Sequence, residues 1–128
     1  MKEYTITNKT FNKVTGDSGE QLAKEYLKKN GYKILKTNYK TNIGEIDIIA
    51  KQKDFIVFVE VKTRKNDYFG LPREAVNSFK QQKIRQVATQ YIKFNKLFDA
   101  SCRFDVIEIL GDEISHLENC FWVCLILD

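Results

Sequence analysis

Three charged residues interrupt an apolar stretch in a way that suggests chemistry. They are Asp47, Glu60 and Lys62, within GEIDIIAKQKDFIVFVEVKTR, Gly44 to Arg64. The stretch reads as two strands joined by a short polar turn. With Lys53-Asp54 as a two-residue turn, Gln52 faces Phe55. Carrying that register back sets Asp47 opposite Glu60 and Glu45 opposite Lys62. Side chains alternate along a strand, so Glu45, Asp47, Phe58, Glu60 and Lys62 share one face. Ile46, Ile48, Val57, Val59 and Val61 share the other. Carboxylates directly opposite each other, with Cβ atoms about 4.5–5.5 Å apart, repel. In a partly buried place, one of them has its pKa raised. A divalent cation relieves that repulsion, and hard oxygens on neighbouring strands suit magnesium or manganese. The same residues allow a plainer arrangement, with Glu60 paired to Lys62 or Lys51 on a solvated sheet face. A one-residue slip would undo the register altogether.

The elements that must position these residues can be read in order. Residues 1–14 carry Lys2, Lys9 and Lys13 with few apolar anchors and read as an N-terminal arm, loose or late to dock. A first helix is expected from Asp17 to Asn30, with Leu22, Ala23, Tyr26 and Leu27 as its apolar stripe and Gly31 as its stop. Strand-like YKILKTNY precedes the hairpin, and the loop RKNDYFGLP follows it. A long helix is expected from Arg73 to Asn95, its stripe being Val76, Ile84, Val87 and Tyr91. Another strand, CRFDVIEIL, comes next, and ISHLENCFWVCLILD has room for one more strand and a short helix. The expectation is a single domain over 15–128, an α/β fold with a central mixed sheet flanked by helices.

Composition narrows the function classes. The chain has 128 residues, 43% of them hydrophobic, enough for a core, and a formal charge of +4. That charge permits a nucleic-acid partner without demanding one. No charged-then-apolar leader and no apolar run of about 18 residues is found, so a soluble cytoplasmic protein with no membrane partner is expected. Cys102, Cys120 and Cys124, an odd count without repeated spacing, do not read as a disulfide framework. His116, Cys120 and Cys124 would line one face of a helix and could hold zinc with Cys102. No C-x-x-C knuckle supports this, and buried or idle thiols are the simpler account.

An acid followed on the next strand by E-x-K, here Asp47 and Glu60-Val61-Lys62, resembles the restriction-endonuclease-like superfamily, usually written PD-(D/E)XK. Ile46 stands where the superfamily often has proline. The wider strings GDSGEQLAKEYLKKNGYKILKTNYKTNIGEIDIIA, VFVEVKTR, FGLPREAV and CRFDVI are similar to the YraN family of small bacterial proteins, over about Thr15 to Phe121. The resemblance implies a restriction-endonuclease-like core related to archaeal Holliday junction resolvases. It implies Asp47 and Glu60 as ligands of Mg2+ or Mn2+, the Val61 carbonyl as a further ligand, and Lys62 beside the attacking water. It also implies a catalytic role for Glu20 on the first helix.

Several of these residues have a structural reading as well. Asp17-x-x-Glu20 has capping-box spacing, and a carboxylate suits a helix's first turn. Gly19 would let that turn lie close to the sheet. Lys80 sits in the middle of the long helix's stripe and either snorkels to solvent or points to a polar site at the sheet edge. Five basic residues and no acid run from Lys80 to Lys96, as a solvated face or as phosphate contacts. Lys80, Lys83 and Arg64 are the expected nucleic-acid contacts. Tyr68 and Phe69 could stack on nucleic acid or close a lid over the core. Arg103 and Asp105 read as a pair without chemistry.

Together these point to a metal-dependent endonuclease acting on structured or branched DNA. The alternative is a non-catalytic nucleic-acid-binding accessory in DNA repair or recombination. The apolar tail CFWVCLIL must be covered by its own sheet or by a second subunit. A two-fold symmetric enzyme would suit a branched substrate, so a homodimer is expected.

Overall fold

A computed structural model describes residues 2–7, 16–64 and 78–120 of the chain. The elements are β1 (Lys2–Thr7), α1 (Gly16–Lys29), β2 (Lys33–Lys40), β3 (Glu45–Gln52), β4 (Phe55–Arg64), α2 (Ser78–Phe94), β5 (Ser101–Leu110) and β6 (Glu113–Glu118). They build one six-stranded sheet in the order β1-β6-β5-β4-β3-β2. β4 and β5 run parallel and every other neighbouring pair is antiparallel, so the sheet is mixed.

Each helix covers one face. Leu22, Ala23, Tyr26 and Leu27 of α1 pack on Ile48, Ala50, Val57, Val59, Ile107 and Ile109. Ile84, Val87, Ala88, Tyr91 and Ile92 of α2 pack on Ile46, Ile49, Phe58, Phe104 and Val106. Both helices show the stripe that their sequence periodicity demands. α1 ends where Gly31 takes a φ of +86°. The Tyr32 N–H then returns to the Leu27 carbonyl at 3.0 Å and the Gly31 N–H to that of Lys28 at 3.2 Å. That double closure satisfies carbonyls the helix would otherwise leave open.

Residues 2–7, read from sequence as part of an arm, form the edge strand β1, paired along β6 from Lys2↔Glu118 to Thr7↔Glu113. The run Tyr4-Thr5-Ile6-Thr7, one aromatic and three β-branched residues, suits a strand better than a tether. The hairpin register is the expected one: Gln52↔Phe55 through Ile48↔Val59. The alternation fails at one point. Ile46 lies on the α2 side with Ile49 and Phe58, whereas Ile48 lies on the α1 side with Val57. Strict alternation would have kept Ile46 and Ile48 together. The slip coincides with Asn38 on β2, which has a φ of +50° and lies between the pairs Thr37↔Ile48 and Tyr39↔Ile46. Asn tolerates that conformation better than most residues. The loop with Tyr68 and Phe69, the first residues of the long helix as expected, and the tail beyond Cys120 lie outside the described residues.

Candidate active site

The site forms where β3 and β4 part. Their pairing stops at Ile48↔Val59. One step further, the Asp47 side chain stands in for the ladder, its Oδ2 accepting the Val61 N–H at 2.8 Å. Asp47 is therefore fixed beside Glu60, as the register requires, though by a side-chain bond rather than a backbone pair. Burial, and then the Glu60 charge, push the Asp47 pKa up to about 7, against the Val61 hydrogen bond; Glu20 and Glu45 add to the rise.

Glu60 is buried and its Oε1 gathers two ammonium groups. Lys62, two residues along β4, approaches at 3.3 Å. Lys80 reaches the same oxygen from α2. Lys80 thus takes the inward alternative of its two sequence readings and sits within the site. Burial lowers the Lys62 pKa, and the neighbouring Lys80 lowers it further against the pull of Glu60. Burial is the largest influence on Lys80 and works against its charge, but the bonds to Glu60 and Lys62 and the charges of Glu60 and Asp47 together outweigh it and its pKa is raised.

Glu20 stands on the α1 side. With its nitrogen facing the carboxylate, the Asn38 amide donates to both Glu20 oxygens, at 3.2 and 3.3 Å. The kink in β2 therefore serves the acid on α1 as well. Gly19 makes this approach possible. A Cβ there would lie 2.1 Å from Thr63 Oγ1, far inside any real contact.

Lys83 lies one turn beyond Lys80 on α2. Its Cβ is 3.9 Å from where a Cβ on Gly44 would be, and its ammonium sits 5.4 Å from the Phe79 ring centroid. Arg64 does not face outward as a nucleic-acid contact should. Its guanidinium is mostly buried, with Nε 2.9 Å from Glu108 Oε2. That contact is an ion pair without hydrogen-bond alignment, since Oε2 is left without a hydrogen-bond partner. Burial raises the Glu108 pKa despite the opposing Arg64 charge.

Among the described residues, no group of three or more His, Cys, Asp or Glu side chains is already gathered to hold a metal ion. The donors beside the strand gap still fit a hard divalent cation. They are carboxylates on adjacent strands, and Asp47 carries an electrostatic penalty that a cation would relieve. His116 is no zinc ligand here. It lies in β6 rather than a helix, and its ring nitrogens are taken by Tyr26 Oη at 2.8 Å and Asp105 Oδ2 at 2.7 Å. Cys102 is a free thiol, and burial pushes its pKa up to about 11, whereas the Cys120 thiol donates to the Leu117 carbonyl at 3.0 Å. Cys124 lies outside the described residues.

Sequence reasoning missed Asn38 as the partner of Glu20, and Phe79 beside Lys83. It also gave Arg103 and Asp105 too little: they anchor a buried network that includes His116, Tyr26 and Tyr32. Only the spacing of Phe79 and Lys83, one helical turn apart, could have signalled the second of these. No helix among the described residues is long and apolar enough to cross a membrane.

The model of Uncharacterised protein family UPF0102 matches residues 19–109, which include Glu20, Asp47, Glu60, Lys62 and Lys80. A UPF0102 protein of Alkaliphilus oremlandii is 54% identical over 117 residues, covering 87% of this chain and 100% of the relative. One of Clostridium acetobutylicum is 48% identical over 119 residues, covering 88% and 98%. One of Clostridioides difficile is 52% identical over 112 residues, covering 86% and 98%. The chain belongs to the UPF0102 family, the YraN-like group its sequence resembles.

Proposed function

We propose that this UPF0102 protein is a divalent-metal-dependent endonuclease with a restriction-endonuclease-like core, hydrolysing phosphodiester bonds in structured or branched DNA. The observation that carries the reading is the convergence of Asp47, Glu60 and Lys62 at the gap between β3 and β4. Asp47, Glu60 and the Val61 carbonyl would hold Mg2+ or Mn2+. When bound, such an ion supplies Lewis-acid polarisation of the phosphoryl group and a more acidic water.

The chain's own residues would do the rest. Lys62, with its lowered pKa, holds or moves the proton of the attacking water at Nζ and balances charge in the transition state. Lys80 is placed to exchange Glu60 for a phosphate oxygen. Glu20, oriented by Asn38, is a third acid, close enough to Asp47 for its charge to be felt there. A symmetric homodimer would present two such sites to a branched substrate.

The rival reading is a non-catalytic nucleic-acid-binding accessory. One observation favours it: Glu60 Oε1 is already engaged by two lysines. The deciding experiment incubates the protein with labelled four-way junction, flap, single-stranded and duplex DNA, and RNA, in magnesium, manganese or EDTA. Cleavage that needs the metal is expected, with Lys62→Ala slowed by about 10²–10⁴ while its binding stays within a few fold. Binding without any cleavage would select the accessory reading.

A further inference from the structure

Four large apolar side chains are exposed among the described residues: Phe55, Phe79, Phe94 and Phe98. Phe55 has the Arg103 guanidinium 5.5 Å from its ring centroid. Phe94 and Phe98 lie at or beyond the last turn of α2. Phe79 differs in position. It is 71% exposed and sits in the first turn of α2, directly before Lys80, whose ammonium meets Glu60. One turn on, Lys83 holds its ammonium 5.4 Å from the ring centroid, with its stem beside Gly44 at the entry to β3.

An exposed ring and a lysine so close together match the two parts of a nucleotide. A base stacks on an aromatic face, and a phosphate pairs with an ammonium. A continuous duplex gives the ring nothing to stack on, because its bases are already stacked on one another and only phosphates and sugars face the protein along the backbone. An unpaired base does use it. The cationic surroundings, Lys62, Lys80 and Lys83, suit a polyanionic strand rather than an apolar partner.

We propose that Phe79 is the stacking platform for an unpaired base of the strand whose phosphodiester enters the site. This rests on the nuclease reading and narrows it: the ligand is a nucleic acid with a single-stranded or splayed segment next to the bond to be cut. Phe79 selects that segment and Lys83 takes an adjoining phosphate.

Equilibrium binding tests this, in EDTA and again in calcium, with a fluorescent single strand, a flap and a blunt duplex of equal length. Phe79→Ala should weaken the single strand and the flap about 5- to 150-fold, the range of one lost base stack, and leave the duplex within twofold. Phe79→Trp should restore binding. Phe94→Ala removes a still more exposed ring from the other end of the helix and should change nothing. The inference is overturned if Phe79→Ala binds the single strand as the parent does, or loses duplex and single strand equally. It is also overturned if the substitution changes the oligomeric state by light scattering instead of the affinity. A parent that binds no nucleic acid in either condition overturns this inference and the nuclease reading together. A parent that binds, matched by Phe79→Ala, overturns this inference alone.

Discussion

The carboxylate of Asp47 takes the place of a backbone partner for Val61, accepting its N–H at 2.8 Å across the gap between β3 and β4. The bond pins Asp47 next to Glu60 and favours its ionised form. Burial and the Glu60 charge act the other way and win, since the pKa rises to about 7. Asp47 is therefore well held and poorly neutralised, as the proposed role of cation ligand requires.

The first prediction follows from that imbalance. The Asp47 carboxyl titrates near 3.8 in an open chain and about 7 in the fold, so ionising it destabilises the folded state. The destabilisation is absent below about pH 4, grows as pH rises, and is complete above about pH 7. Its size is on the order of 2–4 kcal/mol. Asn keeps the acceptor for Val61 and drops the charge. In EDTA, Asp47→Asn should be more stable than the parent by about 1–3 kcal/mol at pH 8 and nearly equal to it at pH 4.5. Urea melts of both proteins at the two pH values check this. A variant weaker than the parent at pH 8 would make Asp47 a purely structural acceptor.

The second prediction concerns Lys80. Its ammonium and that of Lys62 share one oxygen of Glu60, so a cation arriving at Glu60 must compete with both. Lys80→Met keeps much of the apolar stem and removes one competitor. Manganese affinity, by calorimetry, should rise about tenfold, or roughly 1.4 kcal/mol, whereas Glu60→Gln should abolish binding. Unchanged affinity in Lys80→Met would mean that Glu60 is not a ligand or that Lys80 moves aside without cost.

Much of this arrangement was legible in the sequence, for a physical reason. A two-residue turn leaves little choice of register, and the apolar alternation of β4 fixes which residues face which layer. Asp47, Glu60 and Lys62 could therefore be brought together from spacing alone. The kink was not legible, because a positive φ at Asn38 depends on what β2 must do to meet β3 and α1. The Arg64 ion pair was not legible either, because Glu108 is distant in sequence and only the fold sets it beside Arg64. The edge strand β1 was missed because its partner β6 lies at the other end of the chain.

Gly19 supports a third prediction. An alanine Cβ would lie 2.1 Å from Thr63 Oγ1 and 3.4 Å from Thr63 Cβ. Thr63 follows Lys62 on β4, so relief of the clash must move α1 off the sheet or disturb the site. Gly19→Ala should destabilise by about 1–3 kcal/mol, although alanine favours helix over glycine. Thr63→Ala deletes the offending oxygen and leaves the 3.4 Å contact. The double variant should thus recover most of the loss, a coupling that a double-mutant cycle measures. A single Gly19→Ala as stable as the parent would show that α1 has room to spare.

The last prediction lies on the α1 side of the sheet. Asp105 is 1% exposed and accepts from Arg103 Nε at 2.9 Å, Arg103 Nη2 at 2.9 Å, the Asn119 N–H at 3.0 Å and His116 Nε2 at 2.7 Å. His116 Nε2 meets this carboxylate as donor, and Nδ1 lies 2.8 Å from the Tyr26 hydroxyl oxygen. Arg103 continues the chain of contacts to the Tyr32 hydroxyl at 2.7 Å. The network thereby ties β5 and β6 to α1. Asp105→Ala strips a buried guanidinium of its nearer counter-ion, leaving only Glu118 at 3.7 Å among the described residues, and His116 of its acceptor, and should cost about 3–5 kcal/mol. Tyr26→Phe removes one neutral hydrogen bond from the same network and should cost about 1–2 kcal/mol. Urea denaturation of the two variants separates these sizes. Equal losses would mean that the carboxylate is held by shape rather than charge. A loss for Asp105→Ala under 1 kcal/mol would show that water can replace it, and that the network does not hold β6 to the rest of the sheet.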